Sequence, residues 1–198
     1  MPRRVAILIS GSGSNMVSLI KAMAGDPDIT PVLVISNRAS ATGLDRAAEL
    51  GVPTLTIDHA NFANDRLAHE VAIQSALDEH RVDFICLAGF MRILSPGFIK
   101  KWPGKILNIH PSLLPKFKGL HTHERALAAG ETYHGCSVHV VTASLDDGPI
   151  LGQARCRIEP EDTPQSLAAR VLPLEHKLYP AVLARFIRGD SSPVFLDG

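Results

Sequence analysis

The sequence predicts an α/β fold: a mostly parallel open sheet of Rossmann-like layout, with helices on both faces and an antiparallel strand pair toward the C-terminus. Three observations predict it. Continuous apolar runs at Val5-Ala6-Ile7-Leu8-Ile9, Val32-Leu33-Val34-Ile35 and Phe84-Ile85-Cys86-Leu87-Ala88 have the pattern of strands buried on both faces. Segments of helical periodicity alternate with them, and that order produces a parallel sheet. Later, Ser137–Thr142 and Ile150–Ala154 are separated by a turn, Leu145-Asp146-Asp147-Gly148-Pro149, at the spacing of an antiparallel hairpin.

Each element has its own signal. The first strand runs into Ser10-Gly11-Ser12-Gly13-Ser14-Asn15, and a helix is expected from about Asn15 to a stop at Gly25. A glycine loop entering a helix lets backbone amides approach an anion, and a side chain at Gly13 is expected to block that approach. Met16 occupies the place of a third dinucleotide-binding glycine, and Ser36-Asn37-Arg38 lacks the acid that would hold an adenosine ribose. There is no Gly-Lys-Ser/Thr either. A single phosphate monoester is therefore the expected ligand, with a ligand-free turn as the alternative. Thr42–Leu50 is a second helix closed by Gly51, and Thr54–Thr56 is a short strand. A third helix from about Asn64 to His80 is expected to bury Leu67, Val71, Ile73, Ala76 and Leu77. After the Phe84–Gly89 strand, Met91-Arg92-Ile93-Leu94 leaves the carboxyl end of the sheet, where open α/β folds bind ligands, and could line a flat organic molecule. Ser95-Pro96 starts a helix. His121–Ala129 is another helix stopped by Gly130, and Thr163-Pro164 opens a long last helix that buries Leu167, Val171, Leu174, Leu178 and Val182, with kinks expected at Pro173 and Pro180.

Composition narrows the function. With 198 residues the chain fits one domain, and 45% apolar against 20% charged residues is a globular balance. Twenty basic and twenty acidic residues cancel, which argues against nucleic-acid binding. No apolar run approaches the ~18 residues that span a bilayer. Met1-Pro2-Arg3-Arg4 leads into the first strand without a cleavage site, so no membrane association or secretion is expected and the compartment read is the cytoplasm. Cys86, Cys136 and Cys156 form no CxxC and read as reduced core thiols.

Chemistry concentrates in Asn108-Ile109-His110-Pro111-Ser112-Leu113-Leu114-Pro115. Asn108 and His110 lie two apart at the exit of the strand Lys105-Ile106-Leu107 and so share a face, while Pro111 keeps His110 extended. An amide donor beside an imidazole could stabilise an oxyanion and move protons, provided a carboxylate orients the ring. Asp146 or Asp147 could supply it. The neighbouring side chains of that turn diverge, so only one should reach His110. A cis bond is expected at Leu114-Pro115 or a neighbouring X-Pro. Metal binding by His121 and His123 is disfavoured, because no third or fourth ligand accompanies them.

These motifs, with Gly119-Leu120-His121-Thr122-His123, Ser137-Val138-His139 and Leu145-Asp146-x-Gly148-Pro149, resemble the formyltetrahydrofolate-dependent transferases over nearly the whole chain. Within that family the chain most resembles the branch that formylates the amine of 5-phosphoribosylglycinamide from 10-formyltetrahydrofolate in purine biosynthesis. The resemblance implies Asn108, His110 and Asp146 as catalytic residues and Gly13, Ser14 and Asn15 as the substrate-phosphate loop. It further implies Glu175 at the substrate, and Arg66, Met91, Arg92, Ile93, Leu94, Asn108, Thr142, Ala143, Ser144, Leu145 and Asp146 at the folate. It selects Asp146 over Asp147, which stands where a glycine is common and should face solvent. Pro173 also departs from the family's pattern. The implied organisation is one formyltransferase domain, 1–198, with a phosphate-binding half (1–104) and a catalytic and folate-binding half (105–198). Two small-molecule substrates are implied and no metal, and a homodimer is allowed. A deformylase or another formyltetrahydrofolate user is the alternative; both are expected to carry a further domain, whereas the chain is read as starting at the first strand and ending after the last helix.

Overall fold

The computed structural model describes residues 1–63 and 65–198, which fall into two units, Met1–Leu107 and Asn108–Gly198. In the first unit, β1 (Arg3–Ile9) has no exposed atom from Val5 to Ile9, as its unbroken apolar run requires, and lies between two parallel partners. These are β2 (Ile29–Ser36) and β4 (Phe84–Leu87); β3 (Thr54–Thr56) extends the sheet beyond β2, also in parallel. The connections are α1 (Ser14–Ala24), α2 (Gly43–Glu49), a 3₁₀ turn at His59–Phe62, and α3 (Arg66–Glu79). After β4, α4 (Pro96–Lys101) is capped by Ser95, whose hydroxyl accepts the Phe98 N–H at 3.1 Å. The sheet then continues into β5 (Ile106–His110), within which the boundary between the units falls.

The second unit orders its strands β5-β6-β7-β8, with β6 at Tyr133–Val140, β7 at Ile150–Arg157 and β8 at Val194–Asp197. Its helices are α5 (Thr122–Ala128) and α6 (Pro164–Ile187). β6 and β7 are antiparallel, as the hairpin spacing predicts, and β7 and β8 are parallel. Gly148 closes that hairpin because a Cβ there would stand 1.7 Å from the Val140 carbonyl oxygen. α6 begins with a capping box between Thr163 and Ser166 and buries Leu167, Val171, Leu174, Leu178 and Val182 against β6 and β7. Each such side chain contributes about 1.5–3 kcal/mol of hydrophobic stabilisation. Among the described residues no helix is long and apolar enough to cross a membrane.

Several boundaries differ from expectation. β6 starts four residues early and stops at Val140, and β4 ends at Leu87, before the left-handed Gly89 (φ 75°). β8 has no apolar run to announce it, since its residues alternate between half-buried and exposed. α6 carries Pro173 and Pro180 within one continuous helix. The expected start of the third helix at Asn64 lies outside the described residues. Its buried face is corrected: Leu67 and Val71 are 63% and 64% exposed, and His69, Glu70, Ile73, Ala76 and Leu77 face inward. The reason is polar. His69 Nε2 donates to the Ile57 carbonyl at 2.8 Å and Glu70 Oε1 accepts the Ser95 N–H at 2.6 Å, so one part-buried and one buried bond fix the helix rotation. Leu77→Ala should therefore cost about 2–5 kcal/mol in urea unfolding, and Leu67→Ala less than about 0.5 kcal/mol. The reverse ranking would contradict this rotation.

Candidate active site

β5 ends in Asn108 and His110 because Pro111 stops the ladder, and the chain then folds back over the imidazole. Ser112 Oγ donates to the Lys116 carbonyl at 2.7 Å, and the Ser137 hydroxyl accepts the Leu114 N–H and donates to the Ser112 carbonyl. The Leu114–Pro115 peptide is cis, and Phe117 is left-handed (φ 56°). The Phe117 carbonyl lies 3.0 Å from His110 Nε2, which donates to it. His110 Nδ1 then points the other way, toward Asp146 Oδ2 at 3.4 Å, with both side chains under one-tenth exposed (7% and 8%).

Asp146 sits at φ 48°, a strained conformation that an aspartate tolerates better than most residues. Its Oδ2 accepts the Gly119 N–H at 2.9 Å, and its Oδ1 lies 3.6 Å from His139 Nε2. His139 completes the group. Its Nδ1–H donates to the Val140 carbonyl at 3.0 Å, so Nε2 of the neutral ring accepts the Asn108 Nδ2–H at 3.1 Å. That bond occupies one amide hydrogen of Asn108 and leaves the other for a ligand oxygen. Asp147, one residue on, is 54% exposed and pairs with Lys118 Nζ at 2.5 Å. The two aspartates diverge as the turn geometry predicts.

Charge follows this geometry. Burial pushes the Asp146 carboxyl upward, but the adjoining His139, the Gly119 amide and the nearby His110 together bring it below its ordinary value. For His110 the balance is opposite: burial lowers its pKa, and the Phe117 carbonyl and Asp146 oppose this without overcoming it. Asp146 favours the cation, but the dry surroundings keep the ring neutral near pH 7. Burial and then Glu175 raise the Cys136 thiol, the reverse of what a nucleophile needs.

The remaining candidates lie as follows. Thr142, Ala143, Ser144 and Leu145 lead into Asp146 on the same connection, with Leu145 54% exposed. Glu175 is buried on α6. In the first unit, Gly13 is the left-handed cap (φ 68°) of α1, whose first turn holds Ser14 and Asn15. A Cβ on Gly13 would meet Met16 Cε at 2.7 Å and Gly43 Cα at 3.2 Å, so the glycine serves packing against α2 as well as any ligand, and substitution there would not be specific to an anion. The Gly43 N–H and the Arg46 guanidinium hold the loop through the Gly11 and Ser12 carbonyls. Met91, Arg92, Ile93 and Leu94 follow β4, and Arg66 is exposed at the start of α3. His121 pairs with Glu124 while His123 bonds His134, and among the described residues no group of three or more His, Cys, Asp or Glu could hold a metal ion.

Sequence reasoning quoted Gly119 and His139 within motifs but gave no role to the His139 ring, the Gly119 amide or the Phe117 carbonyl. The first was legible: alternation that puts Cys136 and Val138 on one face of β6 puts Ser137 and His139 on the other. The two backbone groups were not, because they depend on loop conformation.

The formyl transferase family model matches residues 3–183, and the chain belongs to that family. Among its relatives is the phosphoribosylglycinamide formyltransferase of Escherichia coli (strain K12), 42% identical over 98% of this chain and 93% of the relative. The solved structure of phosphoribosylglycinamide formyltransferase from Coxiella burnetii superposes with a TM-score of 0.91 at 45% identity, covering 98% of this chain and all of that one. The Brucella melitensis structure of the same name gives 0.89 at 51% identity, covering 94% of this chain and 96% of that one. The trifunctional purine biosynthetic protein adenosine-3 of Bos taurus is 48% identical over 91% of this chain, which spans 18% of that protein's length.

The electrostatics give a direct test by NMR titration. His110 should titrate below the ordinary 6.5, and Asp146→Asn should lower it further by removing an attraction that favours the cation. Because the folded value lies under the unfolded one, the stability linked to this ring is present above pH 6.5 and is lost as pH falls through the folded value. A native midpoint above 6.5 would contradict the burial argument.

Proposed function

We propose that this chain transfers a formyl group from 10-formyltetrahydrofolate to the amine of 5-phosphoribosylglycinamide, as a cytoplasmic enzyme of purine biosynthesis. The observation that carries the reading is the buried carboxylate of Asp146, shared between His110 and His139 while His139 also holds the Asn108 amide. Residues 1–104 supply the phosphate loop, Gly13, Ser14 and Asn15, and residues 105–198 the reacting groups, with Glu175 at the glycinamide end. Met91–Leu94, Arg66 and the Thr142–Asp146 turn are assigned to the folate.

The chemistry uses groups already placed. The amine, with a pKa of ~8, is partly neutral at physiological pH and attacks the formyl carbon. The carbonyl π electrons move to oxygen, and the free Asn108 N–H donates to the resulting oxyanion, a contribution of about 3–4 kcal/mol in a dry site. His110 rests neutral with Nε2–H held by Phe117, so Nδ1 takes the proton released by the amine, and Asp146 Oδ2 stabilises the cation that results. Returning that proton to N10 breaks the C–N10 bond, leaving tetrahydrofolate and the formylated amide. No covalent enzyme intermediate forms.

Incubation with 5-phosphoribosylglycinamide and 10-formyltetrahydrofolate should consume both. Folate deformylation without the ribonucleotide would indicate the deformylase instead. Asp146→Asn should lower kcat by at least about a hundredfold and move the acidic limb of its pH profile downward, while Asp147→Asn should stay within about twofold at unchanged Tm. An active Asp146→Asn beside an inactive, stable Asp147→Asn would overturn the assignment.

A further inference from the structure

The segment after β4 displays Met91 and Ile93 at 60% and 62% exposure, two large apolar side chains two residues apart in solvent. A slack loop would fold them inward, but this one is tied at both ends by buried polar groups. At its start, β4 and β1 stay paired as far as Ala88, whose N–H donates to the Leu8 carbonyl at 2.9 Å, and the chain turns at Gly89. A side chain makes the next rung: the Met91 N–H donates to Ser10 Oγ at 2.7 Å. Because that oxygen accepts there, its own proton goes to Asn37 Oδ1 at 2.5 Å. Ser10 and Asn37 are 6% and 1% exposed, and the Asn37 carbonyl is held in turn by His59 Nδ1 at 2.8 Å. At the far end, Glu70 takes the Ser95 N–H at 2.6 Å and the Ser95 hydroxyl as well, and that hydroxyl oxygen caps α4.

We infer that Ser10 and Glu70 are positioning residues that clamp residues 91–95 into a preformed apolar platform for the flat organic co-substrate, which on the function proposed above is 10-formyltetrahydrofolate. A platform already ordered spares the ligand the entropy of ordering it, and two exposed apolar side chains held rigid gain by being covered.

Hydrogen exchange and steady-state kinetics on Ser10→Ala test this together. Exchange at the Met91 amide should quicken by about tenfold or more, and KM for 10-formyltetrahydrofolate should rise by about tenfold, while kcat and KM for the ribonucleotide stay within about twofold. A merely structural role would not produce that split. Unchanged folate KM despite a loosened Met91 amide, or a fall in kcat alone, would overturn the inference. Should Ser10→Ala not fold, Glu70→Gln keeps an acceptor for the Ser95 N–H but loses the one for its hydroxyl, and the same folate-specific rise is expected. A native chain inert toward both substrates would instead fail the proposed function, and the exchange rate at Met91 would still report on the clamp by itself.

Discussion

The second unit is arranged around one carboxylate that water barely reaches. Taking an ionised aspartate out of water is costly unless its oxygens are compensated, and Asp146 accepts the Gly119 N–H and lies 3.6 Å from His139 and 3.4 Å from His110, two rings that attract it when charged. Each partner demands something of the chain. Gly119 must present its N–H, which requires the loop after β5 to double back; His139 must be buried beside Asn108 at the end of β6; and Asp146 must accept a left-handed backbone. The serine ties among Ser112, Leu114 and Ser137 and the closure of the hairpin at Gly148 stabilise that geometry.

One consequence is a division of labour between two histidines of similar burial. His139 is held at Nδ1 by a carbonyl and at Nε2 by Asn108, which suits an orienting group. His110 is held at Nε2 and faces a carboxylate with Nδ1, which suits a group that gains a proton during reaction and loses it again. A neutral resting ring with a carboxylate waiting beside its basic nitrogen is pre-organised for the charged intermediate rather than for the ground state. The same economy holds in the first unit, where Ser10 and Glu70 fix a backbone segment before any ligand arrives.

Much of this was legible in the sequence, and the limits were physical. Apolar runs located β1, β2 and β4, because strands buried on both faces admit few polar residues. The divergence of Asp146 and Asp147 followed from turn geometry, and the resemblance to the family chose between them. The buried face of α3 was misread because hydrophobic periodicity counts Leu67 and Val71 as core, whereas two polar side chains with specific partners set the rotation. β8 escaped because a half-exposed edge strand needs no apolar run. His110's charge state was not legible at all: it is a balance between burial and two attractions, and only three-dimensional packing sets the burial.

The central claim is that Asp146 stays ionised although buried, because His139, Gly119 and His110 outweigh its desolvation. Carbon-13 NMR of its side-chain carboxyl, followed downward from neutral pH, reads this directly. The account predicts a midpoint below the ordinary 3.8, and a rise in that midpoint when His139→Ala removes one partner. A carboxyl in the native chain that takes up its proton above 3.8, or one whose midpoint is unmoved by His139→Ala, would contradict it.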